Sequence, residues 1–386
     1  MVKRPGRNFL KGRIDWLLLV ATVLLLGAGM VTMISFSDST VTGSSGSYFF
    51  ERQLLWFIVS LAVFFAFSFV DWRFLRRSGV LVTLFFLSCF SLLLLIVIGS
   101  TFRGAQSWFS LGGVSLQPAD FIKLVLILLL AKYFSRRHIE IAHLRHIIVS
   151  GIYTLIPFLL VLIQPDFGSA IVFFLIWLGL VIFAGISKKH LFAVFAAGVI
   201  ASIFLWTSVF APYQKQRILT FIHPLSDIRG TGYSSFQSTI AVGSGQIFGK
   251  GVGYGTQSRL KFLPEYETDF IFAAFAEEWG FIGVLLFFSL FGIVIWRILK
   301  IAMLGETNFE TLFGIGLSIF FMSHFVINVG MNLGLLPVTG LTLPFVSYGG
   351  SHLLAEFAGL GILMGMRAYS RSYHRDDMRN EFLGPV

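Results

Sequence analysis

Ten runs of roughly 20 mostly apolar residues follow one another along this chain, each long enough to cross a hydrocarbon layer of about 30 Å as a helix. They fall at roughly 14–36, 53–70, 79–99, 117–134, 147–163, 168–186, 191–210, 270–299, 311–335 and 352–368. A bilayer interior offers no water to unpaired backbone groups, so runs of this length predict helices and an all-α, polytopic membrane protein. Composition agrees: the 386 residues are 56% hydrophobic and 12% charged, where a soluble chain carries about a quarter charged residues. The chain therefore reads as one transmembrane bundle domain over residues 1–386. Cys89, its one cysteine, excludes an intramolecular disulfide.

The formal charge of +10 would suit a nucleic-acid partner, but the basic residues alternate between connections in the way membrane proteins distribute them. One set holds the N-terminal tail, Arg73, Arg76 and Arg77, then Lys132, Arg136, Arg137 and Arg145, then Lys188 and Lys189, then Arg297, Lys300 and the C-terminal arginines. The opposite short loops hold Arg52 and Arg103. This pattern assigns both termini to the cytoplasm and needs no nucleic acid. The opening MVKRPGRNFLKGRIDW has the charge of a signal peptide without its small-residue cleavage site, and reads as a cytoplasmic tail.

One outer segment differs from the rest. Residues 211–269, between the seventh and eighth spans, form a long polar loop rich in Gly, expected to be ordered and to carry short helices at the membrane surface. Its Gly249-Lys250 pair lacks the upstream Gly and following Ser or Thr of a phosphate loop, so its glycines serve sharp turns or close backbone approach. The loop ends at Asp269, placed at the mouth of the eighth span, with Glu265 four residues before it. Glu277 and Glu278 follow about two turns deeper, as a buried polar knot or as functional carboxylates.

Lys123 lies one turn after Gln117, Pro118 and Asp120, within the fourth span. An intramembrane lysine is either paired for structure, here with Asp120 or Asp269, or placed for function. Arg103 beside Trp108 is a candidate anion ligand or a surface residue. The dense Pro and Gly of residues 334–351, reaching Ser347 and Gly349, imply broken backbone beside a polar cavity. The histidines are scattered, with no metal-ligand spacing.

At these residues the chain resembles the SEDS family (shape, elongation, division and sporulation). The segments that carry the resemblance are QPADFIK (117–123), QPDFGSA (164–170), PYQKQRILTFIHPLSD (212–227), GYSSFQSTIAVGSGQIFGKGVGYGTQ (232–257), FLPEYETDFIFAAFAEEWG (262–280) and LPVTGLTLPFVSYGGS (336–351). Gly-Thr-Gln at 255–257 and Pro-Val-Thr-Gly at 337–340 lean toward its rod-shape branch. The resemblance implies a peptidoglycan glycosyltransferase of the bacterial cytoplasmic membrane that consumes lipid II. It also implies a class B penicillin-binding protein and other elongation-complex proteins as partners, and Asp269 as the catalytic acidic residue. The chain departs from the family pattern where Ala119-Asp120 replaces Ser-Glu, His352 replaces Ser and Glu356 replaces Asn.

Lipid II carries a polyprenyl diphosphate, so its polymerase needs an apolar groove, an anion site and a base. The spans offer the groove, Lys123, Arg103 and Arg217 with Asp120 and Gln117 offer the anion site, and Asp269 offers the base. Glu265, Glu277, Glu278, Ser347 and Gly349 are supporting candidates. A divalent cation, Mg or Mn, would suit the diphosphate leaving group, though no ligand signature assigns a metal site. The opposing reading is a lipid II flippase with the same charged residues along a translocation path. The charge pattern predicts that Ser235→Cys, in a variant lacking Cys89, reacts with an impermeant thiol reagent in intact cells. Labelling only after permeabilisation would overturn the orientation.

Overall fold

The computed structural model describes residues 13–35, 45–102, 105–111, 114–135, 144–223, 230, 232–260 and 262–383. Ten long helices appear in the expected order. They are α1 (Trp16–Ser35), α2 (Ser45–Phe69), α3 (Ser78–Ile98), α4 (Pro118–Ser135), α5 (Leu144–Ile163), α6 (Phe167–Phe183), α7 (Lys188–Phe204, extended by a π turn over Leu205–Val209), α11 (Ile271–Ala302), α12 (Asn308–Asn332) and α13 (Gly350–Leu383). Residues 211–269 supply α8 (Pro212–Ile222), α9 (Tyr233–Ser244) and α10 (Thr256–Arg259), so the expected short helices are present. One element was not expected. After α3 the chain forms a three-stranded antiparallel meander of β1 (Ser100–Phe102), β2 (Ala105–Leu111) and β3 (Val114–Leu116). Arg103 lies outside the described residues.

Apolar composition on every side explains why these helices assemble in lipid, and burial shows which ones form the centre. Among the described side chains, most of α4 and α12 is buried, whereas α7 buries none. Around that centre α13 runs along α2, α11 contacts α1 and α12, and α4 contacts α3 and α12. Small residues allow the close crossings. A Cβ on Gly361 would meet Phe64 O at 2.9 Å, so α13 and α2 approach backbone to backbone at that point.

Ion pairs tie one end of the bundle together. Asp15 accepts from Arg297 and pairs with Arg367 at 3.0 Å, while Arg76 reaches Glu306 at 2.7 Å and Glu310 at 2.8 Å.

The opposite end contains the feature that shapes the site. Phe272 and Phe288 stack with ring centroids 5.9 Å apart, and Phe275 meets Phe287 at 5.4 Å. A continuous helix would separate residues 272 and 288 by about 24 Å. The chain therefore folds back at Gly280, whose φ of 62° and ψ of −166° are open to glycine, and α11 is a hairpin of two arms, 271–279 and 281–302. Folding back strands helix-end carbonyls and amides. The glycine-rich loop satisfies them: Lys250 and Gly251 N–H donate to Glu277 O and Glu278 O, both at 3.0 Å, and Phe281 and Ile282 N–H donate to Gln246 O and Ile247 O at 2.8 and 3.1 Å.

This corrects the expected placement of the acidic residues. The first arm rises from Asp269, inside the bundle, toward a tip beside Gly253 and the end of α1 at Ser35. Glu277 and Glu278 therefore lie buried at the hairpin tip, not further along a continuous span. They also resolve to the structural reading. Glu277, fully buried, accepts from Lys250 Nζ at 2.7 Å, Thr256 Oγ1 at 3.1 Å and Gln257 N–H at 3.1 Å, and Glu278 accepts from Gly253 N–H at 2.7 Å. A Cβ on Gly249, at φ +79°, would lie 2.0 Å from Glu278 O, and one on Gly245 would lie 2.0 Å from Ala276 O. Gly249→Ala should accordingly destabilise the protein by about 1–3 kcal/mol or more. Gly243→Ala, whose Cβ meets nothing within 4 Å, is the matched control. Melting in detergent that fails to separate the two variants would contradict the packing of this loop on the hairpin.

Candidate active site

A cavity of about 680 Å³ opens between the hairpin, α12, the 337–352 connection and the sheet. It gathers residues distant in sequence: Gln117, Asp120, Lys123, Arg217, Glu265, Asp269 and Gly349 all line it. Ser347, Glu277 and Glu278 do not. Ser347 instead ties backbone together, its hydroxyl donating to Thr268 O at 2.6 Å and accepting from Leu343 N–H at 2.8 Å. Gly349 N–H donates to Gln53 Oε1 at 3.4 Å. Aromatic side chains, among them Trp56, Trp108, Phe167 and Phe210, make much of the apolar wall.

Helix α12 places the floor. His324, Asn328 and Asn332 recur every four residues and so share one face. Asn328 Nδ2 donates to Asp269 O at 3.0 Å and to Leu341 O at 2.7 Å, and Asn332 Nδ2 donates to Asp269 O at 3.0 Å. Asn332 Oδ1 also accepts from Ala273 N–H at 3.0 Å. Two amides thus fix the backbone from which the Asp269 carboxylate projects. Gly340 stands beside the carboxylate, and its φ of +77° favours glycine at that turn.

One turn along the same face, His324 receives Lys123. Lys123 is 1% exposed, and its Nζ lies 3.1 Å from Asp120 Oδ1 and 3.2 Å from His324 Nε2. His324 Nδ1 lies 3.2 Å from Thr342 O, which can only accept. That nitrogen therefore carries the proton, and Nε2 accepts from the ammonium. The sequence expectation that Lys123 pairs with Asp120 holds. Asp120 and Gln117, grouped above with the anion ligands, are engaged with protein partners instead. Asp120 also contacts Ser351 and His352, and Gln117 Nε2 donates to Asp166 Oδ2 at 3.0 Å.

Sequence reading missed several members of this site. His324 and His352 were set aside because they are scattered, yet both line the cavity, while Asn328 and Asn332 shape it from behind. The four-residue spacing of His324, Asn328 and Asn332 was the available signal. Arg52 adds a second rim cation beside Arg217, its guanidinium 4.5 Å from the centre of the Tyr48 ring. Among the described residues, no three His, Cys, Asp or Glu side chains come together as a metal cluster.

A carboxylate, a buried ammonium, two guanidinium groups and an apolar wall share one cavity, a lining that suits an anionic, lipid-linked substrate. Residues 15–372 match the FtsW/RodA/SpoVE family of cell cycle proteins. Stage V sporulation protein E of Bacillus subtilis is 36% identical, over 92% of this chain and 98% of its own length. The peptidoglycan glycosyltransferase MrdB of Escherichia coli K12 is 39% identical, over 71% of this chain and 74% of its own. Among solved structures, a chain of a peptidoglycan synthase complex that coordinates polymerization and crosslinking superposes with a TM-score of 0.77 at 30% identity, covering 92% of this chain and 98% of that one. The rod shape determining protein RodA of Thermus thermophilus superposes at 0.66 and 29% identity, covering 92% and 96%. With its bundle, its hairpin and its cavity, the chain belongs to the FtsW/RodA/SpoVE family of bacterial multi-pass membrane proteins.

Proposed function

We propose that this chain is a peptidoglycan glycosyltransferase that polymerises lipid II at the outer face of the cytoplasmic membrane during cell elongation, with Asp269 as its general base. The observation that carries the reading is the meeting of Asp269 and Lys123 in one cavity, from segments distant in sequence and on the same face of α12. In the proposed reaction the acceptor sugar hydroxyl attacks the anomeric carbon of the donor. Its proton passes to Asp269, the bond to the diphosphate oxygen breaks, and the anomeric configuration inverts. Lys123, Arg52 and Arg217 would meet the diphosphate charge, and the aromatic wall would take the lipid and sugar faces.

The charge alternation supports the topology, with cavity and hairpin tip outside and the Asp15 ion cluster inside. The partner reading is a class B penicillin-binding protein working with other elongation-complex proteins. It is supported by the solved complex that couples polymerization to crosslinking. A Mg or Mn ion fits as a companion of the diphosphate, since such ions bind through one or two carboxylates with substrate oxygens completing the shell. Since no three such side chains come together among the described residues, one or two of the wall carboxylates, among them Glu265, Glu267 and Asp269, would hold it, and its charge would offset that of the leaving group.

Asp269→Asn nearly preserves shape and removes the proton acceptor. Polymer formation from lipid II by the purified protein should fall about 100- to 10,000-fold, or roughly 3 to 5 kcal/mol of barrier. Membrane insertion should persist. A folded Asp269→Asn protein that polymerises at the normal rate would rule out the assignment.

Lys123→Met should lower the same activity about 10- to 100-fold, the scale of a lost hydrogen bond to a charged group. Unchanged turnover at normal protein levels would remove Lys123 from the anion site.

A further inference from the structure

Asp120, His352 and Glu356 lie on two helices yet form one chain of contacts. His352 Nδ1 is 3.2 Å from Asp120 Oδ1, and its Nε2 is 3.0 Å from Glu356 Oε1. All three are buried, with 2%, 5% and 0% of their surfaces exposed. Two carboxylates so close together in the interior need compensation, because unpaired buried charge is severely unfavourable.

The charges close once Lys123 is included. Lys123 and Asp120 cancel, and one further proton serves the contact between His352 and Glu356. Whether it sits on Nε2 or on the carboxylate, the four groups together are neutral. Glu356 carries the chain into the backbone. Both its oxygens accept the Phe345 N–H, at 3.2 and 3.0 Å, and Phe345 holds a φ of +64° that few side chains adopt. The His324 ring, which meets Lys123, packs 4.5 Å from that of His352, so the two imidazoles stand together beside the ammonium and its carboxylate.

We propose that His352, backed by Glu356, is a positioning residue that compensates for the short side chain of Asp120 and thereby fixes Lys123 at the cavity floor. The inference rests on the reading of Lys123 as a diphosphate ligand. An aspartate carboxylate reaches one methylene less far from its helix than a glutamate would. Here the imidazole of α13 spans the remaining gap and restrains the carboxylate from the opposite side, with Ser351 Oγ adding a contact at 3.3 Å.

The experiment measures polymer formed from lipid II per folded molecule, with melting temperature alongside, for the wild type, His352→Ser, Asp120→Glu, Glu356→Asn and the three combined. His352→Ser alone should lower turnover about 10-fold or more at a temperature where it remains folded, a loss that a purely structural role would not give. The triple variant should return to within about threefold of wild type, because its glutamate reaches without the ring and its asparagine leaves no stranded charge. If His352→Ser does not fold, the triple variant still decides, since it must both fold and turn over. Wild-type turnover in His352→Ser, or a triple variant no better than its worst member, overturns the proposal. A wild type that makes no polymer sinks the polymerase reading instead. The coupling is then read from melting, where additive shifts for Asp120→Glu and His352→Ser would overturn it.

Discussion

Backbone hydrogen bonding at a broken helix governs this structure more than any side-chain contact. A helix that turns back at Gly280 leaves the amides and carbonyls at its two broken ends without intrahelical partners. Residues 246–251 supply the missing partners, two donors to the first arm and two acceptors to the second. That requirement explains why the loop is so rich in glycine. Its backbone must approach to a distance at which any Cβ on Gly245 or Gly249 would collide with a carbonyl oxygen. The loop, the hairpin and the position of Asp269 are therefore one structural unit.

The same unit sets the chemistry. With the first arm running outward from Asp269, the carboxylate stands one helical turn along α12 from the histidine that receives Lys123. Asn328 and Asn332 grip the Asp269 backbone rather than its carboxylate, which fixes where the side chain starts while leaving its direction to Gly340 and the cavity. A base held in this way is preorganised by its main chain. Precision matters because a reacting atom misplaced by 1 Å loses much of the advantage of proximity.

Length and hydropathy made the helices legible in the sequence, since ten apolar runs correspond to ten long helices in the same order. Lys123 was legible because a buried ammonium needs a partner, and Asp120 was within one turn. The hairpin was not. Residues 270–299 are apolar throughout, and hydropathy records no difference between a straight span and one folded in half. Gly280 alone could not signal the reversal, because glycine is common in transmembrane helices. Glu277 and Glu278 were therefore placed along a continuous span rather than at the hairpin tip. The small sheet was missed because its strands are three to seven residues long, too short for a convincing alternation. His352 and Glu356 stand four apart on α13 and meet Asp120 through tertiary packing that no local pattern encodes.

The electrostatics of the cavity divide labour between its floor and its rim. Lys123 is already balanced by Asp120, so from a distance the pair is a dipole rather than a full positive charge. Long-range attraction for an anionic lipid then falls to Arg52 and Arg217 at the rim, where the guanidinium fork suits phosphate oxygens. Close to the floor the balance reverses in importance. Coulomb interactions strengthen as water is excluded, and the ammonium gains most from an anion whose charge grows as the sugar departs. A neutral set of Lys123, Asp120, His352 and Glu356 is tolerable in the empty cavity. Under the proposed mechanism it becomes most favourable when charge develops on the leaving diphosphate, which would favour the transition state over the bound substrate.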